Sequence, residues 1–176
     1  SDPMGCKRSI AYIPDDPQLY EYLTGIQYLD FIADIFGVSS ADRSLRVREY
    51  ADAFELTPSL GDLISGYSHG MKQKLAVISA LIHEPQLLIL DEPFVGLDPK
   101  AASVLKKLMR SVAERGGAVF FSTHVLEVAE KLCDKVAMIK QGRLLASGSM
   151  SDILGGGSLE DVFMEALDDK TDDNAH

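Results

Sequence analysis

Two adjacent carboxylates, Asp91 and Glu92, follow the apolar run Leu87-Leu88-Ile89-Leu90 and precede Pro93. A short run of this kind reads as a buried strand, so the pair stands at its C-terminal end, where open parallel sheets present ligand-binding groups. Neighbouring acids can divide labour. One can hold Mg²⁺ through its water shell while the other orients an attacking water, the arrangement that hydrolysis of a nucleoside triphosphate requires. The same residues can equally end a strand and do nothing more, because motifs this short recur by chance.

Three other segments carry residue types that suit phosphate chemistry. Ser68-His69-Gly70-Met71 precedes a stretch that is apolar nearly all round, so Ser68 and the Gly70 amide stand at a positive helix end fit for an anion. A plain serine N-cap explains the same residues. Gly96-Leu97-Asp98-Pro99 opens another helix, which Asp98 caps whatever else it does. His124 falls after one apolar strand and before a helix, where a ring nitrogen could donate to a phosphate oxygen or simply hold a turn.

The elements that must position these groups are legible in the spacing. Ile10–Ile13 reads as a strand stopped by Pro14. Thr24-Gly25-Ile26-Gln27 has the form of a capping box, and Ile26, Leu29, Ile32, Ala33 and Phe36 recur at helical spacing until Gly37. A second helix is expected over Ser40–Phe54, with Leu45, Tyr50, Ala53 and Phe54 as its apolar stripe and Arg43, Arg46, Arg48 and Glu49 in water. A third begins near Gly70 and is buried, with Met71, Leu75, Ile78 and Ile82 on one side. From Gln86 the texture alternates: strand Leu87–Leu90, helix Pro99–Arg115, strand Ala118–Phe121, helix Val125–Cys133, strand Val136–Ile139. That alternation predicts a parallel sheet covered by helices. Ala101, Val104, Leu105, Leu108, Met109 and Val112 form one face of the Pro99 helix, which Gly116-Gly117 ends. Arg143–Ser147 reads as a further strand after the Gln141-Gly142 turn, Gly155-Gly156-Gly157 as a hinge, and Ser158–Leu167 as an amphipathic closing helix.

Composition bounds the answer. The chain has 176 residues, 46% apolar and 25% charged, enough for a core without disulfides or metal. Cys6 and Cys133 belong to no metal-binding or disulfide pattern and read as small apolar residues of a reducing compartment. A formal charge of −10 disfavours nucleic acid as partner. Much of that charge is local, because Glu160–Asp173 holds seven acids and one lysine and reads as a solvated helix and tail. The longest apolar stretch, Leu75–Ile82, is far short of the roughly twenty residues that cross a bilayer. Ser1–Gly5 reads as a cloning scar around a start methionine.

In order and spacing, with Ser68 lying 23 residues before Asp91, Asp98 seven after it and His124 thirty-two after Glu92, the four segments resemble the ATP-binding subunits of ABC transporters. The resemblance covers nearly the whole chain from Ile10. It implies a P-loop NTPase-type α/β fold, a parallel sheet with helices on both faces and an inserted helical subdomain, truncated at its N-terminus. On it, residues 6–15 correspond to a core strand and the start of the Q-loop, 16–83 to the helical subdomain, 84–150 to the ATPase core, and 151–176 to a closing helix and tail. Ser68, His69, Gly70 and Met71 match the signature loop, which meets nucleotide held by a second domain. Asp91 matches the Walker B aspartate and Glu92 the catalytic glutamate, Asp98 belongs to the D-loop, and His124 is the switch histidine. ATP and Mg²⁺ are the implied cofactors. A membrane permease and a second nucleotide-binding domain, arranged head to tail, are the implied partners, with the subunit peripheral to the cytoplasmic face of the membrane. Gly70-Met71-Lys72-Gln73-Lys74-Leu75 and Ser158-Leu159-Glu160-Asp161-Val162-Phe163 look most like stand-alone bacterial drug-export ATPases.

Three departures from the family pattern stand out. Asp15 occupies the Q-loop glutamine's position, where it could reach Mg²⁺ through water. His69 replaces the first signature glycine, adding bulk where a positive φ would be costly. GxxxxGK followed by Ser or Thr occurs nowhere, and the chain contains no Gly-Lys dipeptide, so the loop that cradles β- and γ-phosphates is absent from these residues. The chain alone is therefore expected neither to bind ATP tightly nor to hydrolyse it. A missing interior strand is also expected to leave apolar strand edges that drive self-association or require a supplied N-terminal piece. Two alternatives stand beside the transporter reading: a soluble ABC ATPase of DNA repair, chromosome structure or translation, and a non-enzymatic interaction module.

Overall fold

A computed structural model describes residues 3–168, and the end of the acidic tail and the first two residues of the expected cloning scar lie outside the described residues. The chain divides into two compact units, Ser1–Ser122 and Thr123–His176.

The first unit begins with a short helix that no periodicity signals, α1 (Pro3–Arg8), and continues into β1 (Ile10–Ile13). Helix α2 (Gly25–Phe36) starts at the expected capping box. The Thr24 hydroxyl accepts from the Gln27 N–H, the Gln27 side chain accepts from the Thr24 N–H, and Gly37 closes the helix at φ +69°. Helix α3 (Ser40–Ala53) follows, but its buried residues are Val47, Tyr50 and Ala51, with Phe54 just beyond; Leu45, expected inside, is 65% exposed. The phase of the stripe is set by partners rather than by α3's own pattern. Arg43 pairs with Asp30 and Asp34 of α2, and Arg46 donates to the Ile82 carbonyl at 2.7 Å and to Glu84 at 2.6 Å. These two arginines are half-buried clamps and not the solvated groups the sequence predicts.

Helix α4 (His69–Leu81) is buried on every side from Leu75 to Leu81, as its composition requires. It leads to β2 (Leu87–Leu90). Helix α5 (Pro99–Glu114) then runs back on the expected face, burying Ala101, Leu105, Met109 and Val112, and returns the chain to β3 (Ala118–Phe121). The three strands form a parallel sheet in the order β1-β2-β3, with Ile10 opposite Leu87 and Leu87 opposite Ala118. β2 is the central strand. Leu88 and Leu90 are buried on one of its faces, while Leu87 and Ile89 are half-buried on the other. Both edges of the Leu87–Leu90 strand are thus paired within the unit. The rims of the sheet belong to β1 and β3, and β3 exposes Phe120.

The second unit holds α6 (Leu126–Leu132), β4 (Lys135–Lys140), β5 (Arg143–Ser149), α7 (Met150–Leu154) and α8 (Leu159–Asp168). The expectation that Val136–Ile139 extends the parallel series is corrected: β4 pairs antiparallel with β5 in a separate two-stranded sheet. The cause lies in the turn. Gln141 and Gly142 adopt φ +50° and +74°, the left-handed pair that joins adjacent strands into a tight hairpin, so local pairing wins over a crossover. Ala129, Met138, Met150 and Leu159 form this unit's core, with Cys133 packed against them as a small apolar residue.

Candidate functional site

The two acids stand where the sequence puts them. The Asp91 N–H donates to the Ile13 carbonyl at 2.9 Å and the Ser122 N–H to the Leu90 carbonyl at 3.0 Å, so the ends of all three strands are tied together beside the pair. Asp91 and Glu92 are both half-buried. The Ser122 hydroxyl donates to Asp91 Oδ1 at 2.5 Å and accepts from the Glu92 N–H at 3.0 Å. Glu92 has φ +44°, in a region that residues with a Cβ avoid and that clusters at functional sites. Ser122 is the residue that sequence reasoning passed over. Its one signal was position, immediately after an apolar strand and two residues before His124.

The 94–98 turn joins this strand end to the helix starts. Phe94 meets Phe121 edge-on at 6.0 Å and lies under the Lys106 ammonium. The Asp98 side chain accepts from the Ala101 N–H at 2.9 Å, capping α5, and receives Lys74 Nζ of α4 at 2.9 Å. The capping amide and then the lysine hold its carboxyl below the usual carboxylate range.

Ser68 caps α4 by accepting the Met71 N–H at 3.3 Å. His69 and Gly70 form the first turn, whose amides have no intrahelical acceptor. His69 is not among the residues with positive φ, so the backbone strain expected of it is absent. The space-limited position is its neighbour: a Cβ on Gly70 would lie 2.7 Å from the Gly96 carbonyl oxygen. The His69 ring in turn covers Gly96, where a Cβ would meet Cδ2 at 2.4 Å. Signature-like loop and 94–98 turn are thus interlocked by Gly70, His69 and the Lys74–Asp98 pair.

Asp15 lies exposed two residues past Ile13, in the loop at the same end of the sheet. His124 is exposed in the second unit, two residues beyond Ser122, in a turn where the Thr123 hydroxyl accepts the Val125 N–H at 3.1 Å. The structure therefore brings Asp91 and Glu92 together at one strand end and joins Ser68–Met71 to Gly96 and Asp98. Among the described residues no three His, Cys, Asp or Glu side chains gather as a metal cage. One aspartate already engaged at Oδ1 fits hydrated Mg²⁺, which keeps several waters and takes phosphate oxygens as ligands.

Residues 8–130 match the family described as "AAA domain, putative AbiEii toxin, Type IV TA system". The chain is 37% identical over 164 residues to the uncharacterized ABC transporter ATP-binding protein YthP of Bacillus subtilis (strain 168), covering 90% of this chain and 70% of that protein. It is 34% identical to the ABC-type transporter ATP-binding protein EcsA of the same organism, covering 93% and 68%. A solved ATP-binding subunit of an ABC transporter superposes with a TM-score of 0.87 at 37% identity, over 94% of this chain and 71% of that one. The chain belongs to the ATP-binding proteins of ABC transporters, and its α/β fold is theirs. It spans between 45% and 70% of its curated relatives' own length. Among the described residues no helix is long and apolar enough to cross a membrane.

Proposed function

We propose that this chain is the larger part of a transporter's ATP-hydrolysing domain and acts only together with a phosphate-binding loop that its 176 residues do not supply. The observation that carries the reading is the acid pair at the end of β2, with Asp91 oriented by Ser122 and Glu92 held at φ +44°. MgATP would supply the phosphoanhydride bond to be broken and the cation that offsets its charge. Asp91 would hold the hydrated metal through its carboxylate. Glu92 orients the water and takes its proton. Ser68 and the first-turn amides at His69 and Gly70 present donors to a γ-phosphate carried by a second copy, while Asp98 keeps α5 and α4 in register. His124 would hydrogen-bond the γ-phosphate of the nucleotide held beside Asp91 and Glu92, and Asp15 would reach its metal through water. Coupling runs to a membrane permease that docks on the helices between β1 and β2, with the subunit on the cytoplasmic face and transport directed outward.

Calorimetric titration of MgATP tests the reading, into the chain alone and then into the chain mixed with the N-terminal portion of its parent. Binding in the mixture only, with turnover that Glu92→Gln abolishes, is the expected result. Turnover by the chain alone, lost in Glu92→Gln, refutes the dependence on a supplied loop. No binding in either case favours a non-enzymatic interaction module, the reading that the absent Gly-Lys dipeptide supports.

A further inference from the structure

We infer that Ser122 is the positioning residue of the Asp91–Glu92 pair, an inference that rests on the reading of those carboxylates as the holders of metal and water. Ser122 follows β3 by one residue, and its N–H, bonded to the Leu90 carbonyl at 3.0 Å, fixes it beside the end of β2. Its hydroxyl then serves both acids at once, donating to Asp91 Oδ1 at 2.5 Å and accepting from the Glu92 N–H at 3.0 Å.

A hydroxyl has one proton and two lone pairs, so this double use fixes its rotation as well as its place. Alanine can make neither bond, and threonine can make both. The donated proton commits Oδ1 of Asp91 and leaves Oδ2 as the other acceptor of that carboxylate. The accepted proton comes from a peptide whose residue sits at φ +44°, a conformation that L side chains resist. Because φ sets the direction in which Cβ leaves the chain, the clamp on the Glu92 N–H sets where its carboxylate begins.

The test has two arms. In this chain, amide hydrogen exchange read by NMR is compared for wild type, Ser122→Ala and Ser122→Thr. Exchange at Glu92 is expected to quicken about tenfold in the alanine variant and to stay within about threefold of wild type in the threonine variant, with Leu88 unchanged in both. In the chain recombined with its N-terminal portion, Ser122→Ala is expected to lower kcat about tenfold and to raise the Mg²⁺ concentration for half-maximal turnover by a similar factor. KM for ATP at saturating Mg²⁺ stays within about twofold, and threonine restores both lost properties. Unchanged Glu92 exchange in Ser122→Ala, or a defect confined to KM, overturns the inference. If the recombined wild type turns over no faster than Glu92→Gln, the hydrolytic reading is what fails, and the exchange arm still decides whether Ser122 holds Glu92.

Discussion

Replacing Gly96 by alanine tests the interlock between the α4 start and the 94–98 turn. Gly96 has φ +76°, which costs a residue with a Cβ roughly 1–2 kcal/mol. The new methyl would also lie 2.4 Å from His69 Cδ2 and 2.9 Å from Nε2, so the ring must leave its seat or the turn must shift. Overpacking of this kind costs about 1–3 kcal/mol. The single substitution should therefore destabilise by about 2–5 kcal/mol, of which only the conformational part survives once the ring is gone. Gly37 supplies the reference: its φ is +69°, and nothing lies within 4 Å of a Cβ placed there. Urea unfolding followed by circular dichroism on Gly96→Ala, His69→Ala, the double variant and Gly37→Ala gives the cycle. Gly96→Ala in the His69→Ala background should fall to the cost of Gly37→Ala, a coupling of about 1–3 kcal/mol. An equal cost of Gly96→Ala in both backgrounds would refute the packing of the ring on the turn.

Two more outcomes follow from local geometry. At Glu92, glycine should be more stable than alanine by about 1 kcal/mol, because both remove the carboxylate but only glycine releases the strain of φ +44°; both should abolish turnover in the recombined protein, and thermal melts read the difference. His83 stacks on Phe36 with ring centroids 3.8 Å apart, and burial, joined by the Arg46 charge, holds its pKa below the ordinary 6.5 against a smaller opposing pull from the Ile10 backbone. The unfolded chain then binds the proton first, so stability present above pH 6.5 should decline as pH falls below it. His83→Gln should flatten that part of a pH series of urea unfolding curves, and an unchanged slope would remove His83 as its cause.

Strands whose composition leaves no choice of state were readable residue for residue, as Ile10–Ile13, Leu87–Leu90 and Ala118–Phe121 show. So were the helix ends carried by local chemistry: the Thr24 box, the Ser68 cap and the Asp98-Pro99 start of α5. What the sequence hid depended on partners far along the chain. The stripe of α3 turned toward Val47 and Ala51 because Arg46 reaches Ile82, thirty-six positions away, and nothing local favours Val47 over Leu45. The sequence marks a turn at Gln141-Gly142, but the left-handed backbone that converts two strands into a hairpin follows only when both residues adopt positive φ. At the site, the acids were legible as types at a strand end. Ser122 was not, since a serine after a strand carries no mark of the carboxylate it will meet thirty-one positions upstream.

The sheet order β1-β2-β3 also constrains how the chain reaches its fold. β1 must find β2 across an intervening segment of about seventy-seven positions, from Ile10 to Leu87, whereas β2 finds β3 across about thirty-one. Loop closure alone makes the first pairing dearer by about 0.8 kcal/mol for a flexible segment. The segment is not flexible once α2, α3 and α4 have formed their mutual contacts, because those helices shorten the distance that β1 must search and α4 packs directly on it. Of the three strands, the one earliest in the chain is thus the one that waits longest for its neighbour. Side chains joining α2 to α4 are accordingly expected to affect the rate of folding as well as the free energy of the finished unit.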